Sequence, residues 1–307
     1  MTDNTQNMDG PKPDTTKNID QREVAPRFSR RRQAFKTFVR NRLAVIGVLM
    51  LLGFVVCAGF APTVAPHSPL KMDLANPFCP PGSPGHLLGT DNFGRDILSR
   101  LIYGSRISLS VGLVVVSIAS VLGTTLGLLS GYYGGIIDIL VMRLVEIFYS
   151  FPFLILVVAV MAVLGPSIYN VMMVLGLVSW PIYARLVRSE VLSLRESPFI
   201  EAARAVGASN RRIMFKHILP NCLSSVIVTA AMGMAGAILS TAALGFLGLG
   251  VQPPTPEWGM MLNEGKDFLR RASFLITYPG IAIMLVVLSL NFIGDGLRDA
   301  LDPHLHR

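Results

Sequence analysis

Charge is the property that this 307-residue chain has least of. Charged residues make up 15% of it and hydrophobic residues 51%, whereas soluble domains carry about 25% charged residues. This deficit excludes an ordinary soluble domain and predicts a membrane protein. The net charge of +8 does not indicate nucleic-acid binding, because the basic residues cluster beside apolar runs, where they act as topology signals.

Cysteine is scarce as well. The three cysteines, Cys57, Cys79 and Cys222, form no Cys-x-x-Cys pair. Cys57 and Cys222 lie in apolar runs and are expected to be small buried hydrophobes. Cys79 lies in a loop, and the sequence leaves its oxidation state open.

Catalytic and nucleotide-binding motifs are missing. No Gly-x-x-x-x-Gly-Lys-Ser/Thr loop is present, so the chain itself is not expected to bind ATP. No His-Glu-x-x-His motif or Gly-x-Ser-x-Gly elbow occurs either. The histidines are too scattered to indicate a metal site: His67, His86, His217, His304 and His306. We therefore predict a protein that is not an enzyme and holds no metal or cofactor of its own.

Ionisable residues are also missing from the middle of the apolar runs. Ion-coupled carriers and pumps keep such residues despite their insertion cost. Their absence argues against a carrier driven by protons or sodium, although carbonyls at broken helices could substitute. A membrane protein without a coupling group of its own is expected to receive its energy from another protein.

Six apolar runs, separated by polar or Gly/Pro-rich segments, are long enough to cross a bilayer. They predict spans at about residues 43–62, 107–130, 147–164, 168–184, 222–244 and 274–292. Basic residues before the first run and within 185–217 place both regions in the cytoplasm, and six crossings return the C-terminus there. The long polar lead argues against a cleaved signal peptide.

The remaining segments complete the division of the chain. Residues 1–28 are polar and predict a disordered cytoplasmic tail. Residues 29–42 are basic with interspersed phenylalanines, which is typical of an amphipathic helix on the membrane surface. The predicted regions are the tail 1–28, a region 29–103 with that helix, the first span and an external loop, a domain 104–300 with a cytoplasmic elbow at 187–220, and a C-terminal tail 301–307.

The external loop ends in a polar run before the second span. Thr90 or Asp91 is placed to cap the helix that follows. A structural role is the simpler interpretation of this run, and contact with an external partner is the alternative.

The elbow is the main polar interruption of the apolar sequence. Ser197 and Pro198 suit the N-cap and first position of a helix, and Gly207 is placed to end it in a left-handed conformation. Ser209 can cap a second short helix, which Pro220 is expected to limit.

The elbow also carries a specific resemblance. Glu201-Ala202-Ala203, then Gly207, then Leu219-Pro220 resembles the EAA motif of bacterial ABC-importer permeases. His217 departs from the pattern, which has Ile there. Other segments across residues 30–305 resemble the C-type permeases of the dipeptide, oligopeptide and nickel importers: Leu88–Asp91, Gly94–Asp96, Ser150–Pro152, Phe246–Gly250, Gln252–Gly259 and Gly294–Pro303.

The resemblance implies an all-α polytopic membrane protein with six transmembrane helices and the type I ABC-importer permease (MetI-like) fold, its type-1 domain spanning 104–300. It implies a subunit of the bacterial inner membrane that forms half of the pathway for di- or oligopeptides. Its implied partners are a homologous B-type permease, one or two ABC ATPases that use ATP and Mg, and an extracytoplasmic solute-binding protein.

The resemblance also implies functional residues. Those that would couple to an ATPase are Phe199, Ile200, Glu201, Ala202, Ala203, Arg204, Ala205, Val206, Gly207, Leu219 and Pro220. Those that would contact an external partner are Thr90, Asp91, Arg95, Asp96, Glu257 and Trp258.

Several alternatives stay open at this point. The same machinery could import nickel or another metal chelate, glutathione or opine-like solutes. Outside the family, the alternatives are a stand-alone secondary carrier, a membrane-anchored scaffold and an intramembrane enzyme.

Overall fold

The computed structural model describes residues 35–301. Within them the chain is helical, and its only extended pairing is two isolated bridges. The all-α fold class is therefore confirmed. The tail 1–28, the beginning of the amphipathic segment and residues 302–307 lie outside the described residues, and residues 35–40 are helical.

The helices from residue 42 onward follow in chain order. They are α1 Arg42–Gly59, α2 Ala61–Val64, α3 Ile97–Tyr133, α4 Gly135–Tyr149, α5 Phe153–Leu164, α6 Ile168–Arg195, α7 Pro198–Ala205, α8 Asn210–Arg212, a π-helical segment Ile213–Ile218, α9 Leu219–Phe246, α10 Trp258–Gly265, a 3₁₀ turn Lys266–Phe268, and α11 Phe274–Leu301.

Helix α3 packs along α6 through a row of glycines, Gly123, Gly127 and Gly131, which we call the glycine ridge. A Cβ atom on Gly127 would lie 2.5 Å from the carbonyl oxygen of Ala184, and one on Gly131 would lie 2.8 Å from Cβ of Val191. Glycine at every fourth position lets the two backbones approach closely, as small residues do between membrane helices. Residues later in α3 contact residues later in α6, so the two helices run parallel.

Parallel α3 and α6 require the chain between them to cross back once. Helices α4 and α5 supply this crossing as a pair bent by 88° at residues 150–152. Together with the five long apolar helices, the pair gives six crossings. The predicted number of spans is therefore confirmed.

Two predicted spans belong to longer helical segments in the structure. The run expected at 147–164 is divided by the bend between α4, which begins at Gly135, and α5, which ends at Leu164. The fifth was expected to start at residue 222, but it is continuous with the elbow from Asn210 onward.

The beginning of α1 and the end of α11 lie together at the elbow end of the bundle. Helices α1 and α11 are antiparallel neighbours, and Nδ2 of Asn41 donates to a carboxylate oxygen of Asp299 at 3.3 Å. Gly47 of α1 lies against α11, where an added Cβ would be 2.7 Å from the carbonyl oxygen of Ser289. Residue 42 and residue 301 therefore lie at the same end of the fold.

The three cysteines are free in the structure. Cys222 is fully buried, as expected for a small hydrophobe. Cys57 and Cys79 are half-buried.

Candidate functional site

The elbow was expected at 187–220, but residues 187–195 belong to α6, so the name elbow is kept below for residues 197–220. Its first helix, α7, begins with Pro198 as expected, but the expected cap hydrogen bond is absent. Ser197 has the extended backbone of a cap, yet its hydroxyl donates to the carbonyl oxygen of Leu194 at 2.5 Å. Ser197 therefore occupies the predicted cap position, but its side chain does not make the predicted bond to an amide of α7.

The end of α7 is set by Gly207, whose φ is +79°. The amide of Gly207 donates to the carbonyl oxygen of Arg204 at 2.9 Å, and the amide of Ala208 donates to the carbonyl oxygen of Ala203 at 3.0 Å. These two hydrogen bonds form a Schellman motif, which favours glycine at the left-handed position. The predicted turn at Gly207 is confirmed.

The second part of the elbow begins at Ser209, whose hydroxyl accepts from the amide of Arg212 at 3.4 Å, as predicted. The prediction that Pro220 limits this helix is wrong. A π-helical segment joins α8 to α9, and Pro220 falls in the first turn of α9.

The inner face of the elbow is fixed to the ends of α3 and α6. Ile200 is fully buried in a cluster with Ile213 and Val191. The hydroxyl of Tyr132, at the end of α3, donates to Oδ1 of Asn210 at 2.8 Å. The elbow is therefore attached to the spans by both apolar and polar contacts.

The outer face of α7 is left open to solvent. Phe199 is 46% exposed and Val206 is 84% exposed. The other exposed residues of this face are Glu201, Ala202, Arg204 and Ala205. Two apolar side chains, two small residues and one charge of each sign thus form a surface suited to a protein partner.

An ion pair that the sequence did not reveal lies near the elbow. Arg188 of α6 donates to both carboxylate oxygens of Asp138 in α4, at 2.5 and 2.6 Å. The hydroxyl of Ser130 donates to the same carboxylate at 2.5 Å. The group ties three helices together. By contrast, the ion pair between Arg143 and Glu146 of α4, at 2.7 Å, lies on the surface.

At the opposite end of α3, four residues form what we call the acid–arginine cluster: Asp91, Arg95, Arg100 and Glu264. Asp91 accepts from Nε of Arg95 at 2.6 Å and from Nη1 of Arg100 at 2.5 Å. Glu264 accepts from both arginines, at 3.1 and 2.6 Å. The cluster joins the loop before α3 to α10, which lies more than 150 residues later in the chain.

The expected cap of α3 is corrected by the structure. Asp96 fills that position, and its carboxylate accepts from the amide of Ser99 at 2.8 Å. Thr90 is used elsewhere, because its hydroxyl donates to Asn76 and accepts from the amide of Cys79. Asp91 belongs to the acid–arginine cluster.

Glu257 and Trp258 complete this end of the fold. The carboxylate of Glu257 caps α10 by accepting from the amides of Gly259 and Met260, each at 2.9 Å. Burial raises the pKa of this carboxyl above its usual value. Nε1 of Trp258 donates to the carbonyl oxygen of Leu101 at 3.1 Å.

The residues named from sequence for contact with an external partner are therefore all buried in this structure. Their exposed fractions lie between 0% and 6%. They hold the loop and α10 in place, whereas Leu74 and Leu87 in the same loop are exposed.

Six apolar helical units, an elbow open to solvent between the fourth and fifth, and buried polar contacts at the far end define a multi-pass membrane protein. The chain belongs to the family described as "Binding-protein-dependent transport system inner membrane component", which matches residues 123–307. Residues 29–81 match a second family, described as "N-terminal TM domain of oligopeptide transport permease C". The chain is thus a C-type permease subunit of an ABC importer and a multi-pass protein of the inner membrane.

Individual relatives agree with this family. The chain is 50% identical to a dipeptide transport system permease protein, DppC, of Alkalihalophilus pseudofirmus, over 89% of this chain and 90% of that protein. It is 42% identical to a glutathione transport system permease protein, GsiD, of Pectobacterium atrosepticum, over 89% and 91% of the two chains.

The fold has a counterpart among solved structures. A chain of the MetNI methionine ABC transporter superposes with a TM-score of 0.53 and 24% identity, covering 66% of this chain and 96% of that one. This likeness shows the type I importer permease fold that the resemblance implied.

Proposed function

We propose that this chain forms half of the translocation pathway of an ATP-driven importer for di- and oligopeptides. The substrate class is supported by relatives that are dipeptide permeases at 44–50% identity over most of the chain. Glutathione is the second candidate, because a glutathione permease is 42% identical. Both candidates carry peptide-like amide groups with free charged ends, so one pathway of similar polarity would serve either.

The observation that carries the coupling proposal is the two-sided elbow. Its inner face is buried against α3 and α6, while its outer face exposes Phe199, Glu201 and Arg204. Small Ala202 and Ala205 allow close approach of a partner. We assign this outer face to a groove on a cytoplasmic ABC ATPase, with Gly207 setting the angle between α7 and the rest of the elbow. Leu219 and Pro220 join the elbow to α9.

The proposed assembly has three kinds of partner. A homologous B-type permease completes the pathway, and one or two ABC ATPases bind and hydrolyse ATP with Mg. A solute-binding protein docks at the opposite end, on the exposed side chains of the 65–96 loop that the buried polar residues support. In this arrangement the elbow and both termini are cytoplasmic, which the basic residues flanking α1 favour.

The mechanical step follows from the attachment of the elbow. Closure of the ATPases on ATP displaces α7, and its buried anchor Ile200 transmits the displacement to α3 and α6. The spans then rock between inward-facing and outward-facing arrangements, as packed helices and domains do in other switching proteins.

Reconstitution tests the importer and its substrate. The chain is assembled in proteoliposomes with the neighbouring permease, the ATPases and the solute-binding protein, and uptake of labelled dipeptide and of labelled glutathione is compared. We expect uptake only with ATP, and faster uptake of the dipeptide. Uptake that persists without ATP would contradict the proposal of an ATP-driven importer. Transport of glutathione but not of the dipeptide would change only the proposed substrate.

Elbow variants test the coupling face. Glu201→Lys reverses a charge on the exposed face of α7, and we expect it to lower peptide uptake at least tenfold while ATPase activity becomes independent of substrate. Gly207→Leu is expected to do the same, because a leucine at φ +79° is strained. The matched control is Glu196→Lys, an exposed charge reversal just outside α7. Equal uptake by Glu201→Lys and the control would remove this face from the mechanism.

A further inference from the structure

Two histidines and an aspartate meet at the end of the fold opposite the elbow. His67 follows α2, His86 lies within the 65–96 loop, and Asp96 caps α3. One potential ligand atom from each lies within 4.8 Å of the others. The sequence separates these residues by up to 29 positions, so only the folded loop brings them together.

The group is held in place by a polar network. Asp96 is 2% exposed, and one of its oxygens accepts from both the amide and the hydroxyl of Ser99. The hydroxyl of Ser99 in turn accepts from the amide of His67 at 3.0 Å. The other oxygen of Asp96 lies 2.9 Å from Nδ1 of His86. A single buried carboxylate therefore positions both histidines.

Each imidazole keeps one nitrogen for a ligand. Nε2 of His67 lies 2.7 Å from the carbonyl oxygen of Gly85, which can only accept, so this nitrogen carries the hydrogen. Nδ1 of His86 donates to the Asp96 carboxylate in the same way. Metal-binding histidines show this pattern, in which the second ring nitrogen donates to a backbone carbonyl or a carboxylate and so fixes the tautomer.

Coordination of one ion requires the two free imidazole nitrogens to reach a defined separation. The two imidazole rings are tilted by 40° with their centroids 4.9 Å apart. Zinc–nitrogen bonds of about 2.0–2.1 Å place two ligand atoms of a tetrahedral site about 3.3 Å apart. His67 is exposed, so its side chain is free to bring Nδ1 to this distance from Nε2 of His86.

We propose that His67 and His86 bind a divalent transition-metal ion such as Zn²⁺, with Asp96 orienting His86 and balancing the charge. Imidazole nitrogens favour Zn²⁺, Ni²⁺ or Cu²⁺ over Mg²⁺ and Ca²⁺, which prefer oxygen ligands. The ion fastens the chain after α2 and the middle of the loop to the beginning of α3. The site does not depend on the transported substrate.

Equilibrium dialysis against micromolar Zn²⁺, with bound metal measured by mass spectrometry, tests the site. The full-length chain is purified through a tag without histidine, and His304 and His306 are replaced by Gln in every protein compared. We expect one tightly bound ion per chain, and affinity at least about tenfold lower in His67→Gln and His86→Gln. The control His217→Gln alters the elbow histidine and should bind as the parent does.

A second measurement separates metal loss from misfolding. Without metal, His67→Gln should unfold at nearly the same temperature as the parent, because its side chain is exposed, and only the parent should be stabilised by Zn²⁺ and not by Mg²⁺. A parent that binds no Zn²⁺, or a His67→Gln/His86→Gln double variant that binds as much as the parent, overturns the site.

Discussion

The glycine ridge allows a quantitative prediction for Gly127→Ala. The added Cβ would lie 2.5 Å from the carbonyl oxygen of Ala184 and 3.0 Å from its Cα. Carbon–oxygen contacts between packed helices settle at about 3.3–3.6 Å. The substitution therefore requires α3 and α6 to separate by about 0.8 Å at this point, and the neighbouring contacts of the ridge loosen with it.

The expected cost is that of overpacking, about 1–3 kcal/mol. Replacing glycine by alanine also favours the helix itself by up to about 1 kcal/mol, which would mask part of the effect. Gly236→Ala in α9 is the matched control, because no atom of residues 35–301 lies within 4 Å of its added Cβ. The difference between the two variants then isolates the helix–helix contact.

Unfolding by SDS in mixed micelles, followed by circular dichroism, measures both variants. We expect Gly127→Ala to be less stable than Gly236→Ala by about 1–3 kcal/mol, and Gly236→Ala to match or exceed the parent. Equal stability of the two variants would refute close packing of α3 on α6. If Gly236→Ala lost more stability than Gly127→Ala, the surroundings of Gly236 would not be open as described.

Two further predictions concern polar contacts. Glu264→Ala leaves Arg95 and Arg100 with one carboxylate, so we expect thermal unfolding to show a loss of about 3 kcal/mol in the free energy of unfolding. The exposed control Glu146→Ala should lose less than about 1 kcal/mol, and similar losses in the two variants would contradict the buried cluster. Tyr132→Phe removes the hydrogen bond to Asn210, so backbone amides of the elbow should exchange their hydrogens with solvent several-fold faster. The control Tyr133→Phe should leave these exchange rates unchanged. Equal rates in the two variants would contradict the role of Tyr132 in holding the elbow.

Local signals in the sequence predicted the elbow well because they act over a few residues. Pro198 and Gly207 have backbone preferences that do not depend on the rest of the fold, and both stand where expected. The same reasoning failed at Ser197, whose hydroxyl bonds to the end of the preceding helix. It also failed at Pro220, because the π-helical segment that carries the chain past it has no signature in composition.

Long-range contacts could not be predicted from one sequence. Asp138 and Arg188 lie 50 positions apart, and Arg95 and Glu264 lie 169 apart. Apolar periodicity predicts that spans exist but not which faces meet. The row Gly123, Gly127 and Gly131 was a usable signal, because glycine at every fourth position of a span indicates close helix packing. Reasoning from one sequence also assigned contact with an external partner to residues that the fold buries.

The position of the elbow relative to α3 constrains how a displacement travels. Tyr132 binds the elbow at one end of α3, and Asp96 and the acid–arginine cluster hold the other end. A 37-residue helix is about 55 Å long, so α3 reaches from the elbow to the 65–96 loop. Because the glycine ridge packs α3 tightly against α6, we expect both helices to move as one body. The bend between α4 and α5 is then where we expect the chain to change its conformation.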